Sequence, residues 1–444
     1  MSPIVHPAAL RAAILPHGVT PAAAARNLPA MLTDDTDEAL AATAAAIARE
    51  PASPSAHFAR GELLRRLGLP RDALEAHRRA LALRPGWAAA WRAIGQCLAD
   101  RGDAALARAA FGRARALRPA PGFPGRSDAP RSGRAPRLGY LGGDFHDGPR
   151  APFLLALLRG HAARGDEVRV YARQRVRDAM TEAMMAAAPR WDFVDGEDGE
   201  ALARRIREGD LDWLVDLDDP VPGGILERCP FAWAGPGEAP LPAVPDARPP
   251  VFGRFGGLAL LDDAVLPAWG AILRAVPEGR IVLGDAALND ARVRERLARR
   301  LASHGADPAR FELRGPVPWT DLLADHAGID VVLDPFPRGD AHAACAALWM
   351  GVPVVTMAGV AAASRQVAAI LAAAGLADLV ARTPREYAAL AAALARDATR
   401  RAALRLSLRA RIRDGPLGDG RELAAAVARA CGERAAEAVR GTAA

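Results

Sequence analysis

Residues 328–365, GIDVVLDPFPRGDAHAACAALWMGVPVVTMAGVAAASR, constrain the fold of this chain more than any other stretch. The apolar run from Ile329 to Leu333 ends in Asp334-Pro335-Phe336-Pro337 and reads as a buried parallel strand. A polar loop, Arg338-Gly339-Asp340, opens an Ala-rich segment that stops at Gly351 and Pro353, and a second apolar run follows to Met357. Strand, loop, helix and strand in so short a span make a βαβ unit. Its loop lies at the carboxyl end of a strand, where open α/β sheets bind ligands. Asp340 is placed to cap the helix, which leaves backbone N–H groups of the first turn for a phosphate. The same pattern also suits a plain cap with nothing bound.

At 444 residues and 51% hydrophobic content, the chain is long enough for about three domains with cores of their own. All 58 basic residues are Arg, so Schiff-base and P-loop lysine chemistry are excluded and every cationic anchor is a guanidinium. The formal net charge of +6 is spread along the chain, and only three Tyr are present. A nucleic-acid partner is not expected without a basic, aromatic-lined platform. Cys97, Cys229, Cys345 and Cys431 form no CxxC pair, so neither a zinc site nor a disulfide framework is indicated. The charge-free window Ala343–Ser364 is cut by Gly351, Pro353 and Gly359, as buried core is, and not as a membrane span. With no leader-like N-terminus, a cytoplasmic location is expected.

Pro51, Pro85 and Pro119 lie 34 residues apart. Gly61 with Gly95, Ala73 with Ala107 and Ala80 with Ala114 recur in the same register, as stacked helix–turn–helix repeats require. Residues 1–36 form an indistinct N-terminal segment, 37–119 the repeats, and 120–136 a Pro-, Gly- and Arg-rich linker. Either a protein-binding surface or a buttress for the next domain fits so few repeats. From 137 to 235 strands and helices alternate, with a last strand expected near Cys229–Gly235. A Pro-rich linker, 236–250, precedes a second α/β series over 251–415, and a helix fills 416–444. The fold class is thus α/β with an all-α N-terminal part: tetratricopeptide-like repeats, then two Rossmann-like halves in the manner of GT-B transferases.

Local sequences add a family. LGYLGGDFHDGPRAPFLLALL from Leu138, FGRFGGLALL from Phe252, DPFPRGDAHAACAALWMGVPVVTMAG from Asp334 and ASRQVAAILAAAGLADLVA from Ala363 resemble the O-linked N-acetylglucosamine transferase family. The order of parts is similar too. The resemblance implies transfer of a sugar from a UDP-N-acetylglucosamine-like donor to Ser or Thr of a protein acceptor, with no metal or other cofactor. It also implies a donor site at Phe255, Gly256, Gly257, Gly339, His342 and Ala343, to which Arg338, Asp340 and Arg365 are added by their places on and beside the loop, and catalytic candidates Asp144 and His146.

Several family positions are replaced. The threonine pair that holds diphosphate oxygens falls on His342 and Ala343, and the ribose-binding acid on Ala346. The lysine that neutralises the leaving diphosphate falls on Leu260, and the loop histidine on Gly148, two residues after His146. Arg338 and Arg365 are candidates for the missing cation. Asp216-Leu217-Asp218 invites a metal-binding Asp-x-Asp reading, although the stretch aligns with a family turn and no metal is expected. Two functions therefore stay open: a transferase, or a catalytically inactive member that binds proteins through its repeats.

Overall fold

The computed structural model describes residues 36–66, 69–100, 103–117, 137–197, 199–217, 231–235, 248–289, 291–315, 319–359 and 365–442. His17, Cys229 and the Asp218-Asp219-Pro220 turn lie outside them.

Five helices come first: α1 (Thr36–Arg49), α2 (Pro54–Arg66), α3 (Pro70–Leu83), α4 (Ala88–Asp100) and α5 (Ala104–Leu117). The 34-residue period seen in the sequence is a period of contacts. A Cβ on Gly61 would lie 2.5 Å from the His77 ring, and one on Gly95 would lie 2.8 Å from the Phe111 ring. Each glycine thus admits the ring that stands one repeat from its counterpart. His57 Nε2 donates to the Pro51 carbonyl and Trp91 Nε1 to the Pro85 carbonyl, both at 3.0 Å. Leu40 of α1 and Leu69 before α3 pack against the core of the second α/β half, so the repeats buttress it.

The first half runs β1 (Arg137–Gly142), α6 (Ala151–Arg164), β2 (Glu167–Ala172), α7 (Ala179–Ala187), β3 (Arg190–Phe193), α8 (Gly199–Glu208) and β4 (Trp213–Asp216). Its parallel sheet has the order β3-β2-β1-β4. The second half runs β5 (Val251–Phe255), α9 (Leu266–Ala275), β6 (Arg280–Gly284), α10 (Ala291–Ser303), β7 (Phe311–Arg314), α11 (Trp319–Asp325), β8 (Val331–Leu333), α12 (Ala341–Trp349), β9 (Val354–Met357), α13 (Gln366–Ala373) and β10 (Val380–Ala381). Its six strands, all parallel, are ordered β10-β9-β8-β5-β6-β7. Counted from β5 this is 3-2-1-4-5-6, the doubly wound order, with its switch point between β5 and β8.

α14 (Pro384–Arg396), α15 (Ala398–Asp414) and α16 (Gly420–Thr442) complete the chain. α16 crosses back to the first half, where Leu423, Ala424, Val427 and Cys431 join the core around α6. Glycine makes the crossing possible: a Cβ on Gly160 would sit 2.0 Å from the Gly420 carbonyl, and one on Gly420 1.9 Å from the Ala156 carbonyl.

The strand expected near Cys229–Gly235 is absent among the described residues 231–235. Their amides bond elsewhere: Trp233 N–H donates to the Leu417 carbonyl at 2.6 Å and Ala234 N–H to the Pro152 carbonyl at 3.1 Å. The segment is a seam between α6 and the turn before α16, not a ladder member.

Candidate functional site

The loop between β8 and α12 is braced from within. Asp334 is 3% exposed, and its Oδ1 accepts the Asp340 N–H at 2.8 Å while Oδ2 accepts the Thr356 hydroxyl at 2.6 Å. The Tyr387 hydroxyl donates to the Asp334 carbonyl at 3.0 Å. Burial pushes the Asp334 carboxyl up to about 7. Asp340 caps α12, its Oδ1 accepting the Ala343 N–H at 3.1 Å, as the spacing predicts. Arg338 is half-buried on this loop, and Arg365 is exposed at the start of α13.

Across the switch point, the loop after β5 presents Gly256 and Gly257. Gly256 has φ 137°, and a Cβ there would lie 2.6 Å from Arg254 Nη1 and 2.7 Å from Asp340 Oδ2. Only glycine lets the two charged groups approach over its backbone. Arg254 itself is 5% exposed and donates from Nη2 to the Gly257 carbonyl at 3.2 Å. Phe255 points into the core, its ring centroid 4.8 Å from that of His326. Leu260, at the family's lysine position, ends a short 3₁₀ turn, Leu258–Leu260, that hangs from Asp285: Oδ2 accepts the Leu258 N–H at 2.7 Å.

His342, in the first turn of α12, meets aromatic groups of the first half and the seam. Its ring centroid lies 5.9 Å from Phe153, 5.4 Å from Phe231 and 6.2 Å from Trp233. Its Nδ1 is sealed without a hydrogen-bond partner among the described residues. Burial lowers its pKa to about 4, with the Arg150 guanidinium lowering it further and Asp340 and Asp144 opposing. The imidazole is therefore neutral at pH 7.

Asp144 follows β1 and pairs with Arg150 at 2.5 Å. Its influence on His342 places it on the cleft side of the first half. His146 turns the other way: its Nδ1 donates to the Asp147 carbonyl at 3.0 Å, beside Asp178, whose carboxylate caps α7. At Gly148 a Cβ would meet only the His146 carbonyl, at 3.9 Å, so space for a larger side chain remains. Ala346, at the family's acidic position, is fully buried inside α12.

The structure thus gathers Gly256, Gly257, Gly339, Asp340, His342 and Ala343 around one cleft, faced by Asp144, and keeps Phe255 in the core and His146 beside α7. Sequence reading missed Arg254, Arg150 and the Phe153, Phe231 and Trp233 rings. A signal existed for Arg254, because a charge inside the apolar run VFGRF is anomalous for a buried strand. The rings come from separate segments and gave none.

Residues 243–427 match the model of Glycosyl transferase family 41. The Petunia hybrida protein "Probable UDP-N-acetylglucosamine--peptide N-acetylglucosaminyltransferase SPINDLY" is 37% identical over 204 residues, 45% of this chain and 21% of that protein. The Arabidopsis thaliana protein of the same name is 28% identical over 342 residues, 64% of this chain and 37% of its own length. The chain therefore spans only about a fifth to two-fifths of these relatives. A solved lysine-to-methionine mutant of the Thermobaculum terrenum O-GlcNAc transferase superposes with a TM-score of 0.63 at 27% identity, covering 96% of this chain and all of that one. Helical repeats ahead of two doubly wound halves and the braced loop after β8 thus occur in a chain whose second half is similar to Glycosyl transferase family 41 and whose fold is similar to that of an O-GlcNAc transferase.

Proposed function

We propose that the protein transfers a sugar from a UDP-N-acetylglucosamine-like donor to Ser or Thr hydroxyls of a protein acceptor. The observation that carries this reading is the loop after β8: it lies at the sheet's switch point, ends in the capped start of α12 and faces Asp144 of the first half. Dipole and backbone N–H groups at such a helix start favour a diphosphate. The reaction in this reading needs no metal ion, the acceptor approaches along the helical repeats, and the setting is cytoplasmic. No helix among the described residues is long and apolar enough to cross a membrane.

A second reading, a catalytically inactive member that binds proteins, draws on two particular residues. Leu260 supplies no charge where the family has a lysine, and Ala346 is packed inside α12 where the family has an acid. Calorimetric titration of the full chain with UDP and UDP-N-acetylglucosamine, with and without magnesium, separates the two. Micromolar binding without metal is expected for the transferase. No heat at millimolar ligand leaves the protein-binding reading.

A further inference from the structure

Arg254 is a buried cation with an incomplete set of partners. A guanidinium carries five N–H donors. Among the described residues this one, 5% exposed, makes a single hydrogen bond, to the Gly257 carbonyl at 3.2 Å, and no ion pair. A charge withdrawn from water without a counter-ion in contact is destabilising, and the Asp285 and Asp334 carboxyls act on this one without forming an ion pair. Its fellow arginines in the cleft are better satisfied: Arg150 has Asp144 at 2.5 Å.

Its position says what would complete it. Arg254 is the fourth of five residues in β5, beside β8 at the switch point. Nη1 lies 2.6 Å from the place of a Gly256 Cβ, and that place is 2.7 Å from the Asp340 cap of α12. The guanidinium edge and the Asp340 cap of a nine-residue helix therefore approach each other across Gly256. Asp340 gives Oδ1 to the Ala343 N–H, Asp285 gives its two oxygens to the Leu258 and Ala287 N–H groups, and burial keeps Asp334 largely protonated below about pH 7, so these carboxyls act on the guanidinium without forming an ion pair with it.

We propose that Arg254 binds the diphosphate of the donor, spanning from β5 to the start of α12 and supplying the cation that Leu260 does not. This rests on the nucleotide-sugar reading of the cleft. A planar fork suits two phosphate oxygens at once, which a lysine in the same place does not reproduce.

Titration of the full chain with UDP, uridine and inorganic pyrophosphate tests it, using wild type, Arg254→Met and Arg254→Lys. Loss of a charged hydrogen-bonding pair is worth roughly tenfold to a hundredfold in affinity. We expect Arg254→Met to weaken UDP and pyrophosphate by that factor and to leave uridine unchanged, with Arg254→Lys in between. A folded Arg254→Met that binds UDP within twofold of wild type overturns the proposal. If Arg254→Met does not fold, Arg254→Lys decides: equal UDP affinity overturns it, and a selective loss on UDP supports it. Arg254-dependent binding of pyrophosphate with UDP no tighter upholds the anion site and removes the uridine-nucleotide reading. Wild type that binds neither removes both.

Discussion

Two buried ionisable groups set how the cleft responds to pH, and they act in opposite directions. Asp334, raised by burial to about 7, holds its proton in the folded state and gives it up above pH 4 in the unfolded chain. Its contribution is complete in acid and is lost as pH rises through 7. Asn at this position keeps an acceptor for the Asp340 N–H and turns the Thr356 contact into an N–H donor. Asp334→Asn should therefore match wild type only below about pH 4, and its advantage should grow by roughly 2–3 kcal/mol between pH 5 and pH 8, read as urea midpoints at the two pH values. His342, lowered to about 4, resists protonation that the unfolded chain accepts near 6.5. Stability is lost as pH falls from 6.5 through 4. His342→Phe fits the company of Phe153, Phe231 and Trp233 and should remove this loss, leaving the variant about 1–2 kcal/mol more stable than wild type at pH 5 and little changed at pH 7.5 in thermal melts.

Elements meet here through glycines more than through complementary bulk. α6 and α16 touch backbone to backbone at Gly160 and Gly420, where no rotamer change can relieve an added methyl. Gly160→Ala should cost about 2–3 kcal/mol, within the range for overpacking, with α16 amides losing protection first in hydrogen exchange. The repeats behave differently. Gly61 faces the His77 ring, a side chain that can be shortened. Gly61→Ala should destabilise by about 1–3 kcal/mol, and most of that loss should be recovered in the double variant with His77→Ala, because the pair shares one space. Equal losses in the single and double variants, measured by denaturant titration, would sink this account of repeat packing.

At the scale of the molecule the chain closes on itself: repeats lean on the second half, and the last helix completes the first. A chain ending at Gly415 should lose protection in α6 and the seam around Trp233, because Leu423, Ala424 and Val427 are taken from the first core and Leu417 no longer accepts the Trp233 N–H. Limited proteolysis cutting first within 137–217, with 251–396 resistant, is the expected pattern. Most strands were legible as apolar runs, since strands buried on both faces keep little else, and β5 is the run VFGRF that opens the second α/β series. β3, RWDF, and β10, two residues long, carry no such run and were invisible. The 34-residue period, the Asp340 cap and the family resemblance are written in local spacing, and so the sequence by itself determined the repeats, the two halves and the loop after β8. Tertiary structure alone decided that α16 belongs to the first half, that Phe255 and His146 face away from the cleft, and that Arg254 borders α12. Those facts depend on which segments, distant or near in the chain, pack together, and burial and charge pairing act through space without leaving a period in the sequence.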